Sequence, residues 1–463
     1  MKKKVLLIDG NSFCYRAFYA IRQLSNSKGI ATNAIYGFVT MLNKLLNQRK
    51  PDYLAVVFDL KAPTFRHKKF SEYKIQRKPM PDDLKSQLSA IRTVVQAYHI
   101  PIFEQEGFEA DDVIATLAKR LSSKELEILI LSADKDMLQI VNDDVKVLNP
   151  QQDNLVIDAG WVKKRYGVAP EKLVEVMALC GDASDNVPGI PGVGEAGAIE
   201  LIKRFGALED VLKNADQITN KTKGQKIKQF SETARLSKEL VTLDADVAQL
   251  ARKNPQELLE QMQVVPPDKQ RLYELFKEFE FKTLLKEVIP ENKSAPAVQL
   301  ITERDRAERA LDEIKAGSSV ALYFCPFGLA LSLREEESVY FSLEQTLPAN
   351  FKALLENKAI KKIGHDLKYI KVVLSNQGIN LQGLDFDTMI AAYLLDPSKG
   401  KFTLADLTLE YLDYKLEEPC EDNTKNEQAQ FCARSVQTIL KMSKPLNRQL
   451  QQKGLLDLFH RVE

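Results

Sequence analysis

A chain of 463 residues exceeds what a single hydrophobic core usually supports, so two or three domains are expected. With 44% apolar and 28% charged residues and a net charge of +1, the composition excludes collagen-like and disordered classes and a uniformly basic nucleic-acid coat. The five cysteines, Cys14, Cys180, Cys325, Cys420 and Cys432, are odd in number and lack CxxC spacing, which points to free thiols in a reducing compartment and away from a disulfide frame or zinc site.

The N-terminal MKKKVLLIDGNS has four apolar residues in a row before Asp9, too few for a signal sequence, and no segment is long enough to span a membrane. A cytoplasmic, nucleoid-associated protein is the expectation. Three β-rich apolar runs end in acids: Val5–Asp9, Tyr53–Asp59 and Leu126–Asp136. Between them lie amphipathic, helix-length stretches at Ala34–Gln48, Pro81–Tyr98 and Asp111–Leu121, the alternation of a parallel α/β sheet. Ligands of such sheets bind beyond the carboxyl ends of the strands, where these acids stand. From residue 171 to about 289 the pattern turns helical, with Gly and Pro punctuation at Val187–Gly194. Residues 290–297, polar with two prolines, read as a linker, and strand-like runs at Val320–Phe324 and Val339–Leu343 open a second α/β unit over 298–463.

Nine acids in five segments carry the chemistry: Asp9, Asp59, Glu109, Asp111, Asp112, Asp134, Asp136, Asp182 and Asp185. Clustered carboxylates repel one another and persist where hard cations neutralise them, so two divalent ions, Mg²⁺ or Mn²⁺, are the expected cofactors for an in-line phosphodiester displacement. Asp182 and Asp185, three apart, are expected on one face of a helical turn. The bland reading of each motif is helix N-terminal or turn chemistry; their joint placement at strand ends favours the metal reading. The four histidines are scattered, which disfavours a histidine-based mechanism. Between Lys61 and Lys78 seven basic residues, Lys68 and Lys69 among them, interleave with Phe65, Phe70 and Tyr73 around one acid, composition suited to a single-strand passage in which aromatics stack on bases. Gly189, Gly192 and Gly194 in GIPGVG read as a hairpin whose backbone approaches a phosphate through a monovalent cation.

The motifs IDGNSFCYRAFYA, FRHKKFSEYKIQR, EGFEADD, SADKD and GDASDNVPGIPGVGEAGAIELIKRFG, in order across about 290 residues, closely resemble the 5′ nuclease domain of the bacterial DNA polymerase I family. The resemblance implies a structure-specific 5′ to 3′ exonuclease and flap endonuclease: a PIN-like sheet with a helical arch over 1–170, and a helix-three-turn-helix clamp over 171–289. It puts the nine acids at the metals and gives Arg16, Arg66, Lys74 and Arg77 contacts with the scissile region and passing strand, Lys74 stabilising transition-state charge. Ala196 stands where that family often has a basic residue. Residues 298–463 resemble the same family's ribonuclease-H-like 3′ to 5′ proofreading domain through GHDLKYIKVVL, DFDTMIAAYLLDP and LADLTLEYL, but its acids are missing: ALYFCP (Ala321–Pro326) has none, Ile370 and Ser435 replace two more, and Asp387 belongs to a segment that shapes the fold. An inactive scaffold is expected there, and, since LLDLFHRVE falls about where the family's polymerase domain starts, no nucleotidyl transfer. The expected partners are DNA with a 5′ flap, nick or overhang and a separate polymerase subunit, with the chain a monomer. The alternatives are a non-catalytic DNA clamp serving that polymerase, and an RNA-cleaving PIN enzyme, which has little use for the long duplex-binding half.

Overall fold

The computed structural model describes residues 2–290, 293, 295–326, 328–334, 336–342, 346–417 and 424–462. Cys420, Leu343 at the end of one expected strand, and part of the expected linker lie outside the described residues. The chain divides into two compact units, Met1–Val288 and Ile289–Glu463.

The first unit is built on six strands: β1 (Lys3–Asp9), β2 (Tyr53–Val57), β3 (Ile102–Phe103), β4 (Leu126–Leu131), β5 (Val145–Asn149) and β6 (Leu155–Ile157). Val5, Leu6, Leu7 and Ile8 of β1 are all fully buried, as in a strand covered on both faces. Their burial follows from position, because the sheet order is β3-β2-β1-β4-β5-β6 and β1 runs parallel to both β2 and β4. Among the described strands of this sheet only β6 is antiparallel to its neighbour. The order reverses between β1 and β4, so the crevice where an open α/β sheet takes its ligand lies beyond the carboxyl ends of those two strands. Asp9 is the last residue of β1, and Asp134 opens the short 3₁₀ turn Lys135–Ile140 that follows β4.

Helices α1 (Gly10–Ala20), α2 (Asn33–Arg49), α3 (Phe65–Lys69), α4 (Asp82–Ala97) and α5 (Ala110–Leu121) fill the connections, and α2, α4 and α5 end within a residue or two of the amphipathic stretches read from sequence. Val113, Ile114 and Leu117 of α5 join Val5 and Leu7 of β1 in one core. The basic stretch contributes the five-residue α3 and turns across residues 71–76. The helical half comprises α6 (Ala159–Tyr166), α7 (Leu173–Cys180), α8 (Glu195–Phe205), α9 (Leu208–Lys213), α10 (Lys221–Gln229) and α11 (Ser231–Val241), followed among the described residues by four further helices to Glu287. Val176, Leu201 and Ile227 of this half belong to the same core as the sheet, so both halves bury one continuous apolar interior.

The second unit holds β7 (Gln299–Ile301), β8 (Ser319–Cys325), β9 (Gly328–Arg334), β10 (Glu337–Ser342), β11 (Lys361–Gly364) and β12 (Leu384–Asp387) in the order β12-β11-β8-β9-β10-β7. β8 pairs antiparallel with β9 and parallel with β11, a mixed sheet of ribonuclease-H-like type. The helix Lys425–Gln452 packs Phe431, Cys432, Val436 and Ile439 against Ala321, Cys325 and Ala330 of that sheet. Asp387 is fully buried and accepts the backbone N–H groups of Leu367 at 2.6 Å and Met389 at 2.8 Å, so it ties two helix starts together. Ile370 is a core residue, and the Ser435 hydroxyl donates to the Phe431 carbonyl within its own helix. Among the described residues no helix is long and apolar enough to cross a membrane.

Candidate active site

Local chemistry places each acid before any ligand is considered. Asp9 caps α1, its carboxylate accepting Ser12 N–H at 3.0 Å and the Ser132 hydroxyl at 3.1 Å. Asp59, just past β2, accepts Ala110 N–H at 2.7 Å and the Asn11 amide at 2.7 Å, which bridges the starts of α1 and α5. Glu109 caps α5 and Asp111 lies in its first turn, where the helix dipole favours negative charge. Asp134 accepts the Asp136 N–H at 2.9 Å, which turns the chain sharply just after β4.

Asp182 and Asp185 do not sit on a helical turn. α7 stops at Cys180, Gly181 follows at φ +71, and residues 182–187 form a tight turn closed by paired backbone bonds between Asp182 and Val187. The turn still unites the two acids: carboxylate oxygens of Asp136, Asp182 and Asp185 lie within 4.8 Å of one another. A cleft of about 560 Å³ runs over Asp9, Asp59, Glu109, Asp111 and Asp134, with Lys74, Arg77 and Lys135 on its walls.

The electrostatics are those of a site built to receive positive charge. Burial, with added repulsion from Asp59 and Asp134, pushes the Asp9 carboxyl up to about 7. Burial and the charges of Asp134, Asp9 and Asp59 hold Asp111 well above the usual carboxylate range. Asp136 is raised likewise by burial and by Asp134, Asp182 and Asp185, and its Oδ1 is buried with no hydrogen-bond partner among the described residues. For Asp182 burial works upward, but hydrogen bonds from Ser184 and the Lys135 ammonium at 3.1 Å outweigh it and lower the group. Oxygen-only donors, mutual repulsion and an orphaned buried oxygen fit a hard divalent cation. Because the folded-state pKa of Asp9 is raised, the metal-free protein is most stable while that carboxyl is protonated and loses stability as pH rises through about 7. Adding Mn²⁺ should therefore raise the melting temperature more at pH 8 than at pH 6. Scanning calorimetry in EDTA and in excess Mn²⁺ checks this, and an equal gain at both pH values contradicts it.

Several residues singled out in the sequence take other places. Asp112 is fully buried and Arg66 is 1% exposed; the guanidinium grips the carboxylate at 2.7 and 2.8 Å. Successive helix residues point about 100° apart, so Asp111 meets the cleft while Asp112 turns into the protein. Neither Asp112 as a metal ligand nor Arg66 as a contact to the scissile region fits this geometry. Tyr73, 4% exposed, cannot stack on bases: its hydroxyl donates toward Glu109 at 3.2 Å and Asp185 at 3.3 Å, and its ring packs edge-on to His67. Lys74 reaches Glu109 at 2.7 Å and Asp185 at 3.5 Å from a left-handed backbone, φ +57. Burial lowers its affinity for a proton, but the two carboxylates outweigh burial and keep it cationic. Arg77 grips Asp185 at 2.5 Å and remains half exposed. Arg16, half-buried on α1, is not among the residues lining the cleft, and its Nη1 is buried without a partner among the described residues. Lys68 and Lys69 are exposed, Lys69 paired with Glu239 at 2.6 Å. Asn11, Ser12, Tyr15, Ser132, Lys135 and Ser184 were missed by the sequence reading, although all but Tyr15 stand within three residues of a singled-out acid.

In the hairpin, Gly192 is exposed at φ +88 and Gly194 caps α8, with the Lys226 ammonium near Gly192. Gly189 lies at φ +54, where an added Cβ would come within 2.4 Å of the Cys180 and Gly181 backbone. Gly189→Ala should cost about 1–3 kcal/mol from the backbone conformation alone, read as a lower urea midpoint; an unchanged midpoint contradicts it.

A parallel sheet that gathers carboxylates at its switch point defines a class of acid-clustered α/β proteins with an appended helical half. Residues 4–167 match the 5′-3′ exonuclease N-terminal resolvase-like domain, 168–270 the 5′-3′ exonuclease C-terminal SAM fold, and 325–419 the DNA polymerase I ribonuclease H-like domain. The chain is 41% identical over 286 residues to a 5′-3′ exonuclease of Aquifex aeolicus, covering 62% of this chain and 95% of that one. It therefore belongs to the 5′-3′ exonuclease family, the flap endonuclease type found at the N-terminus of DNA polymerase I. With DNA polymerase I of Bacillus caldotenax it shares 38% identity over 413 residues, 86% of this chain and 46% of that protein, so it spans about half the length of such relatives. Solved structures that it resembles include the T5 5′-exonuclease with bound zinc, at 19% identity and a TM-score of 0.47 over 56% of this chain and 99% of that one.

Proposed function

We propose that the first unit cuts DNA bearing a 5′ flap, nick or 5′ overhang, in primer removal and repair, by hydrolysing phosphodiester bonds with two divalent cations, Mg²⁺ or Mn²⁺. The observation that carries this reading is the convergence of Asp9, Asp111 and Asp134 with the Asp136, Asp182 and Asp185 triad at one switch point. Asp9, Asp59, Glu109, Asp111 and Asp134 would hold one cation, and the triad the other. When bound, such cations lower the pKa of water and neutralise the charge on the attacking and leaving oxygens. The chain itself supplies Lys74, which shifts from Glu109 to the developing negative charge at phosphorus, and Arg77, which exchanges Asp185 for a phosphate oxygen. Gly192, exposed with the Lys226 ammonium nearby, and Gly194, exposed at the start of α8, leave the hairpin backbone open to the duplex phosphates, with a monovalent cation between them. The loss of acids at Ala321–Pro326, Ile370 and Ser435 supports a second unit without proofreading activity. We further propose a cytoplasmic monomer; the same loss favours, as a second reading, service to a separate polymerase subunit.

The test is cleavage of a labelled 5′-flap duplex in Mg²⁺, with EDTA and single-stranded RNA as controls. EDTA-sensitive cutting near the branch is expected, with RNA left whole. A flap that is bound yet intact in Mg²⁺ would falsify the reading.

A further inference from the structure

The end of α11 and the turn after it, residues 240–247, touch the segments that carry the site's acids. Arg66 donates to the carbonyls of Leu240 at 2.8 Å and Thr242 at 2.9 Å while gripping Asp112, and also reaches Glu109 at 3.4 Å. The same Asp112 carboxylate accepts Asp244 N–H at 2.9 Å and Glu109 N–H at 3.0 Å. One turn further along α5, the Thr116 hydroxyl accepts Val247 N–H at 3.1 Å. Gln139, on the 3₁₀ turn that carries Asp136, bonds Val241 O at 3.0 Å and Leu243 N at 3.0 Å. The helical half is thus latched to α5 and to the Asp134–Asp136 turn through one short stretch, with a fully buried ion pair at its centre.

We infer that Arg66 and Asp112 are a positioning pair that sets the first turn of α5, hence Glu109 and Asp111, by the seating of the turn after α11. The inference rests on the nuclease reading for its kinetic consequence, not for its structural one. The carboxylate must accept from four donors: the Arg66 guanidinium twice and two backbone N–H groups. Asparagine keeps the shape but offers one acceptor oxygen, so at least one buried donor faces an NH₂ group and that end of the latch loosens. Groups that orient ligands from behind typically change metal affinity or activity by about 10- to 100-fold when lost.

The experiment compares the full chain with Asp112→Asn and Arg66→Lys. In Asp112→Asn, Mn²⁺ affinity by titration calorimetry and kcat on the 5′-flap duplex should each fall about 10-fold or more, while KM for the duplex stays within about twofold. Amide exchange should quicken together at residues 109–112 and 242–244. Arg66→Lys keeps the charge and should fall between the two on every readout, which covers the case in which Asp112→Asn fails to fold. A purely architectural pair predicts lower melting temperatures with Mn²⁺ affinity and kcat unchanged. That result, or faster exchange on one side of the pair only, overturns the inference. Should the wild-type chain fail to cut the flap, the proposed function falls, while Mn²⁺ affinity and amide exchange still decide the pair.

Discussion

Lys74→Ala is expected to lower kcat for 5′-flap cleavage by about 100- to 1000-fold, with KM changed little, the usual cost of removing one preorganised charge aimed at a transition state. The expectation rests on how the chain holds this lysine. It sits in a left-handed backbone conformation that costs a non-glycine residue energy, with its N–H bonded to Asp185 O at 2.9 Å and its ammonium held by Glu109 at 2.7 Å. A cation kept beside carboxylates of the cluster meets the substrate with little reorganisation. Removing it also takes away an ammonium that neutralises Glu109 and Asp185, so the variant should hold a divalent cation at least as tightly as the wild type. Single-turnover rates on a flap substrate, with calorimetry for the metal, check both halves. A rate within threefold of wild type at saturating Mg²⁺ would sink the assignment.

Arg66→Ala should lower stability by about 3–5 kcal/mol, because it leaves Asp112 charged and uncompensated in the interior. Two backbone carbonyls, Leu240 and Thr242, lose their donor as well. Double replacement by well-packed apolar residues should restore part of that loss, since a buried ion pair is weak evidence of net stabilisation whereas half of one is strongly unfavourable. Denaturant unfolding of Arg66→Ala and of Arg66→Leu with Asp112→Leu measures both. A single variant within 1 kcal/mol of wild type would show that water reaches Asp112.

Much of the site was legible because parallel strands are buried on both faces and announce themselves as apolar runs, so an acid closing such a run stands at the sheet's carboxyl edge. Asp9, Asp59 and Asp134 came from that rule alone. Asp182 and Asp185 were grouped for the wrong reason. Their spacing of three suggested a helix, but Gly181 ends α7 and a tight turn brings them together. Tyr73 was misplaced because an aromatic residue in a basic run looks exposed, whereas its hydroxyl finds two carboxylates inside.

Adjacent Asp111 and Asp112 mark the boundary between the two sources of information. The sequence by itself determined the strand ends, the start of α5, the basic stretch before α4 and the absence of acids in the second unit's expected positions, since each depends on local pattern or on composition. Only the tertiary structure decided which neighbouring carboxylate faces the cleft and which is spent on Arg66, 46 residues away. Helix periodicity separates the two directions but does not say what lies along either, because the partners on each side arrive through long-range packing.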